Sequence, residues 1–322
     1  MLFPVSGVEV NPLIPPLVAF LVATCTAPAG VSGAFLLLPF QMSVLGFVSP
    51  AVSPTNLIYN IIAIPGGLMR FIRDGRMAWP LTWVVIVGTL PGVFIGAWLR
   101  IHYFLDPRAF KFFVGLVLLY LGVRLLYETS GRYLKSKSQM KSVEKKFNER
   151  VKELKATNQS KVAEGLPAEA IVQTQSWSVR RIEYTFWGET FSFGTVTIFM
   201  LALVVGIIGG IYGIGGGAII APFVVSVLGL PIYTVAGAAL AGTFLTSIAG
   251  VVFFYGLGLT DVGAQVAVTP DWTLGILFGI GGFAGTYCGA RIQRFLPERI
   301  IRGVLGVIVT ALALQYVFQF FF

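Results

Sequence analysis

Ten apolar stretches punctuate the chain. Five lie at about residues 13–28, 34–47, 55–73, 79–99 and 110–127. After a polar interval, five more lie at about 196–212, 217–230, 234–257, 272–290 and 300–322. Crossing the hydrocarbon core takes about 20 helical residues. The first two stretches of each set are shorter than that, and Gly with Pro or Ser separates them. Each pair therefore predicts a broken helix or a helical hairpin, and the three stretches that follow predict full spans. The pattern predicts an all-α integral membrane protein in three parts: a membrane segment over 1–128, a polar insert over 129–195 and a second membrane segment over 196–322.

The two membrane segments read as copies of one unit. At the offset that brings Pro39 onto Pro222, with no gap, Gly30 falls on Gly213 and Gly33 on Gly216. Phe40, Ser43, Val44, Leu45 and Gly46 then fall on Phe223, Ser226, Val227, Leu228 and Gly229. Further along, Gly67, Phe71 and Gly75 meet Gly250, Phe254 and Gly258. A slightly larger offset aligns Arg100, Phe104 and Arg108 with Arg291, Phe295 and Arg299. Two homologous halves, each a broken helix plus three spans, are the pattern of a secondary transporter.

Charge sets the direction of the halves. The interval 129–195 holds twelve Lys and Arg against seven Glu, which places it in the cytoplasm. If each broken segment returns to its own side, each half crosses three times and the halves are inverted. Arg70, Arg73, Arg76, Arg291, Arg294, Arg299 and Arg302 are then inside, while Arg100, Arg108 and Lys111 face outward. If each broken segment crosses once, the halves are parallel. Inversion is the arrangement adopted here. Within the insert, 137–157 suits a solvated or amphipathic helix. Residues 182–193 alternate around Trp187 and Gly188 as a short hairpin does.

Composition agrees with a bilayer protein: 56% of the residues are hydrophobic and 11% charged, against about 25% charged in soluble domains. The net charge of +9 is a matter of topology and lipid, and no basic stripe with interleaved aromatics suggests nucleic acid. Cys25 and Cys288 lie in apolar segments and read as buried free thiols. The start of the chain carries no basic n-region, so no cleaved signal peptide is expected.

The candidate chemistry lies at the breaks. An interrupted helix in hydrocarbon leaves backbone groups without partners, at several kcal/mol each, and survives only where something satisfies them. The restarted helices, near Ala34 and Ala218, would present first-turn N–H groups carrying about half a positive charge. Two such ends could face one anion. The candidate substrate-binding residues are Gly30, Ser32, Gly33 and Ala34 in the first break, and Gly213, Gly215, Gly216 and Gly217 in the second. Ser32 could cap the first helix, with Gly215 in the matching place, and Pro39 and Pro222 would kink the restarted helices. In the next spans Asn56 and Asn60 share a helix face, as do Thr243 and Ser247, with Thr246 and Gln41 as weaker candidates. The competing reading is packing: glycines admit close helices, and Gly92 with Gly96 suits that role. No Asp or Glu falls in the middle of a span, so neither a carboxylate relay nor a cation site is visible. With no nucleophile–base pair, metal cluster or cofactor motif, catalysis is not expected.

These residues resemble a known family. The run from Gly213 through Gly215, Gly216 and Gly217 to Pro222, followed by an Ala-rich span ending at Tyr255, is similar to the TauE/SafE sulfite exporter family. Gly30, Gly33 and Pro39 resemble its degenerate partner copy, with Val31 and Ser32 departing from the glycine pattern. The resemblance implies transport of sulfur-containing anions such as sulfite, thiosulfate or organosulfonates, and sometimes of other organic acids. The 129–195 insert is longer than the family unit needs.

The expectation is thus a multi-pass cell-membrane transporter working by alternating access on a small anion. It would have membrane lipid around it, H+ or Na+ as a coupling ion, no cofactor and no nucleic acid, and its oligomeric state is open. A small-anion channel, or a membrane docking or sensor protein using the insert, are the alternatives.

Overall fold

The structure is a computed structural model that describes residues 1–27, 32–73, 75, 77–129, 172–186, 189–217, 219–230, 232–261, 265–292 and 298–321. The first membrane segment forms α1 (Ile14–Thr26), α2 (Ala34–Ser43), α3 (Val52–Ala63), α4 (Pro65–Arg73), α5 (Trp79–Tyr103) and α6 (Pro107–Thr129). Strands β1 (Gln173–Trp177), β2 (Arg181–Phe186) and β3 (Glu189–Gly194) follow. The second segment forms α7 (Thr195–Tyr212), α8 (Ile220–Val227), α9 (Ile232–Gly258), α10 (Trp272–Ile292) and α11 (Glu298–Phe321).

The chain is an all-α membrane protein apart from the small sheet. Among the described residues five helices are long and apolar enough to cross a bilayer: α5, α6, α7, most of α9 and most of α11. Two details depart from the sequence pattern. The span expected over 55–73 is two helices meeting at Ile64, because Pro65 has no N–H to donate and its ring crowds the preceding turn. The opening piece of the second half, α7, reaches 18 residues and is long enough to cross. Helix α10, of 21 residues, is long enough to cross as the pattern expects.

Helix directions follow from which residues meet. Gly88, Gly92 and Gly96 of α5 lie against Phe199, Leu203 and Ile207 of α7 in the same order, so the two run parallel. Gly281, Gly285 and Gly289 of α10 lie in the same way against Pro16, Phe20 and Thr24 of α1. The contacted carbonyls in α1 and α7 match one for one at the offset that aligns Pro39 with Pro222. Helix α3 runs parallel to α10, with Thr55 and Ile58 at Gly275 and Ile62 at Gly279. Helix α9 runs parallel to α5, with Gly242 at Val85 and Gly250 at Val93. By contrast α6 and α11 are antiparallel, since Gly115 meets Tyr316 and Gly122 meets Thr310. The α3–α4 pair is also antiparallel to α9, since Leu57 meets Gly250 and Gly67 meets Leu240. Exchanging α1, α3–α4, α5 and α6 with α7, α9, α10 and α11 reproduces each of these pairs, and the exchanged helices run in opposite directions.

The sheet is an antiparallel meander in the order β1-β2-β3. The hairpin expected over 182–193 is there, with Phe186 paired to Glu189, although its turn at Trp187 and Gly188 lies outside the described residues. Strand β1 is an addition that the sequence pattern did not suggest, and the helix expected over 137–157 lies outside the described residues. Period-two alternation puts Ile182, Tyr184 and Phe186 of β2 on one buried face. The Tyr184 hydroxyl sits 2.9 Å from Thr234 Oγ1 at the start of α9. Burial raises the Tyr184 pKa against a smaller lowering by that bond, so the phenol stays protonated. The Val172 N–H donates to the Gly75 carbonyl at 3.1 Å, tying the sheet to the loop after α4.

Both cysteines are free, but Cys25 is exposed and Cys288 only half-buried. Helix α1 turns its small residues Ala19 and Ala23 inward against α10, which leaves Cys25 on the outer face.

Candidate substrate site

The two breaks meet at α3. Helix α1 ends at Thr26, and α2 restarts at Ala34 after Ser32 and Gly33. Gly30 lies outside the described residues. Helix α7 ends on Gly213, whose φ of 86° is the left-handed conformation that glycine adopts without a Cβ penalty. Gly215, with φ of 78°, turns the chain again before α8 begins at Ile220.

A break leaves carbonyls unpaired, and α3 supplies their donors. Asn56 Nδ2 donates to the Ala34 carbonyl at 3.0 Å and to the Gly213 carbonyl at 2.9 Å. One carboxamide thereby joins the first break to the second. Asn60 Nδ2 donates to the Ile214 carbonyl at 2.9 Å, and its Oδ1 accepts from Ser32 Oγ at 3.1 Å. Ser53 Oγ donates to the Ile211 carbonyl at 3.1 Å. Gln41 Nε2 donates to Asn56 Oδ1 at 3.2 Å. Ser53, Asn56, Asn60 and Gln41 are fully buried.

An amide side chain has two N–H donors. Both of Asn56's are engaged on carbonyls, so this residue braces the two breaks rather than offering a donor to an anion. Asn60 keeps one N–H. The shared face read from the i, i+4 spacing is present, but its two residues do different work.

Ser32 lies one residue before the N-cap position, Gly33, and its Oγ accepts the Ala34 N–H at 3.3 Å. In the second break the Gly216 N–H donates to Thr246 Oγ1 on α9 at 3.0 Å. Thr243 Oγ1 donates to the Ala239 carbonyl of its own helix at 2.8 Å. The glycines here are packed tightly. A Cβ on Gly215 would lie 2.9 Å from Thr243 Cγ2 and 3.0 Å from Ser247 Oγ, and one on Gly216 would lie 2.6 Å from Thr89 Cβ. Gly217 is pressed against the Ala239 carbonyl and Thr243.

Pro39 and Pro222 are not equivalent. Pro39 lies inside α2, where its missing N–H frees the Phe35 carbonyl. Tyr212, at the end of α7, donates its hydroxyl to that carbonyl at 2.7 Å. Position 222 falls in the first turn of α8, where amides have no intrahelical acceptor. At that position a proline removes no intrahelical hydrogen bond.

Some polar groups here have no partner among the described residues. The buried hydroxyls of Thr26 and Ser247 and the Oε1 of Gln41 make no hydrogen bond. Thr26 Oγ1 would lie 3.4 Å from a Cβ on Gly33, and Ser247 borders Gly215, so one free hydroxyl stands at each break. Thr26 and Tyr212 were not singled out from sequence; the one available signal was their place as the last residues before each glycine run. Among the described residues no group of three or more His, Cys, Asp or Glu could hold a metal ion.

Arg100, near the C-terminal end of α5, is a buried charge. It is fully buried within α5, with its guanidinium carbon 3.7 Å from the Phe110 ring centroid and Nη1 on the Phe104 carbonyl. It closes the C-terminal turn of its own helix, where a cation suits the carbonyl ends.

Residues 16–316 match the family described as Sulfite exporter TauE/SafE. The chain belongs to that family. Neither the curated proteins nor the solved structures gave a match. The TauE/SafE match takes in both breaks and every helix between them, together with the sheet that the family unit's membrane halves flank.

Proposed function

We propose that this TauE/SafE protein is a secondary transporter that moves a small sulfur-containing anion across the cell membrane by alternating access. The anion is sulfite, thiosulfate or an organosulfonate. The chain would act as two homologous, inverted halves in a multi-pass arrangement and would catalyse no covalent step. The observation that carries the reading is the Asn56 carboxamide, which ties the Ala34 and Gly213 carbonyls together and makes one polar centre of two helix breaks. Support for inversion comes from the helix pairs that exchange between halves with opposite direction.

The anion would be held by the second Asn60 N–H, which makes no other bond among the described residues, by the Thr26 and Ser247 hydroxyls, and by the positive field of the N-terminal ends of α2 and α8. None of these groups is a carboxylate, which suits an anion and opposes a cation. The cluster is buried, so access needs one set of helices to move against the other. The long glycine-lined contacts of α5 with α7 and of α1 with α10 provide smooth surfaces for such motion.

Uptake of labelled sulfite, thiosulfate and a C2 sulfonate into proteoliposomes tests this, with and without pH and Na+ gradients. Saturable uptake with counterflow is expected for one of the three. Flux that rises linearly with concentration and shows no counterflow would mean a channel.

A further inference from the structure

Helix α6 is 23 residues long, so its first turn lies at the opposite end of the bundle from the insert that follows it. At that end Arg108, Lys111, Tyr316, Gln319 and Phe320, from α6 and α11, line a cavity of about 340 Å³. That volume is at the lower end of the range for small-ligand sites. Two cations share the cavity, and neither forms an ion pair among the described residues. The neighbouring carboxylate, Asp106, accepts the Arg108 backbone N–H at 2.9 Å and so caps α6. Positive charge here also opposes the bias that keeps Lys and Arg on the insert side.

The surroundings indicate what neutralises it. Phe112 stacks on Phe320 at 4.5 Å between centroids and meets Phe321 edge-on at 5.9 Å, while Phe318 and Phe321 are exposed. The Phe320 ring walls one side of the cavity, whose place at the end of two spanning helices sets its charges at the level where such helices leave the hydrocarbon. We infer that this cavity binds a phosphate-type oxyanion, supplied by the headgroup of an anionic phospholipid, with its charge between Arg108 and Lys111 and the Gln319 amide beside it. Basic recesses between membrane helices bind anionic headgroups by this chemistry.

The site also touches the transport machinery. Tyr316 forms one wall with its ring, and its hydroxyl reaches away to Ser43 Oγ at 2.5 Å and to the Pro39 carbonyl at 3.2 Å. Both partners are on α2, the helix that restarts after the first break. A bound headgroup therefore holds the wall that holds α2.

The test uses the full chain purified in a neutral detergent, comparing wild type with an Arg108→Gln/Lys111→Gln double variant and with Tyr316→Phe. Native mass spectrometry and thermal unfolding are read after adding phosphatidylglycerol, phosphatidylcholine or inorganic phosphate. Phosphatidylglycerol should remain bound to wild type and raise its Tm, phosphatidylcholine should do neither, and the double variant should bind phosphatidylglycerol at least about tenfold more weakly, the loss expected when two surface charges each worth ~1 kcal/mol are removed. Tyr316→Phe should keep the lipid but lose part of the Tm gain. Stabilisation by inorganic phosphate that disappears in the double variant would support the oxyanion site and assign its source to solution. Equal binding of phosphatidylglycerol by wild type and the double variant, or equal binding of both lipids, would overturn the proposal.

Discussion

The first and second breaks solve one problem with different materials. In the first, side chains do the work: Ser32 accepts the Ala34 N–H, Asn60 accepts from Ser32, and Gly33 faces the Tyr59 hydroxyl and Thr26. In the second, side chains of α3 and α9 satisfy the polar groups, but the turn itself rests on close backbone contact. Gly213 and Gly215 take left-handed φ values, and a Cβ on Gly213 would lie 2.5 Å from the Ser53 carbonyl oxygen. A side-chain neighbour can move aside, whereas a helix backbone cannot.

The sharpest way to break this comparison is an alanine at each glycine. Gly213→Ala combines left-handed strain with a backbone clash and should prevent stable folding, at several kcal/mol. Gly33→Ala should be weaker and largely rescued by Tyr59→Phe, which removes the hydroxyl it would strike. Thermal unfolding of the purified variants checks both, and a matching rescue of Gly213→Ala by any single side-chain truncation would contradict the contrast. Next in size is Asn56→Leu, which strips two carbonyls of their donor. At about 1–3 kcal/mol for each buried group left unpaired, it should lower stability more than any other α3 substitution. Its readout is the same unfolding assay, where a loss no greater than that of Asn60→Ala would return Asn56 to an ordinary helix residue.

Smaller effects separate holding from binding. Asn60→Ala should raise the concentration of anion needed for half-maximal uptake more than it lowers expression; an unchanged concentration dependence would place Asn60 with packing. Smallest is Ser32→Ala, which removes a hydrogen bond worth about 1 kcal/mol and should shift Tm by a few degrees with uptake retained. Complete loss of uptake in Ser32→Ala would make this hydroxyl a substrate ligand instead.

Periodic and local features were legible in the sequence. Helix positions followed from apolar length, and close helix packing at Gly92 and Gly96 followed from their spacing, though not which helix they meet. The hairpin over 182–193 followed from alternation. What escaped depends on partners far apart in the chain. Nothing near Asn56 shows that Ala34 and Gly213 both need its donors, and nothing near Pro39 shows that Tyr212 will take the carbonyl it frees. The repeated pattern made Pro39 and Pro222 look alike, yet helix α8 starts two residues before Pro222, where a proline removes no intrahelical hydrogen bond. The cover of Arg100, Phe110, comes from the next helix and nothing near Arg100 announces it.

The central claim, one anion site shared by both breaks and reached from each side in turn, is tested most directly by a cysteine at Ser247. Its hydroxyl is buried and unpartnered beside Gly215, and Cys25 and Cys288 can be replaced by serine to clear the background. In proteoliposomes Ser247→Cys should react with a membrane-impermeant thiol reagent added to either side. The transported anion should slow the reaction from both sides. Labelling from one side only under every gradient, or a rate that no transported anion changes, would contradict the account.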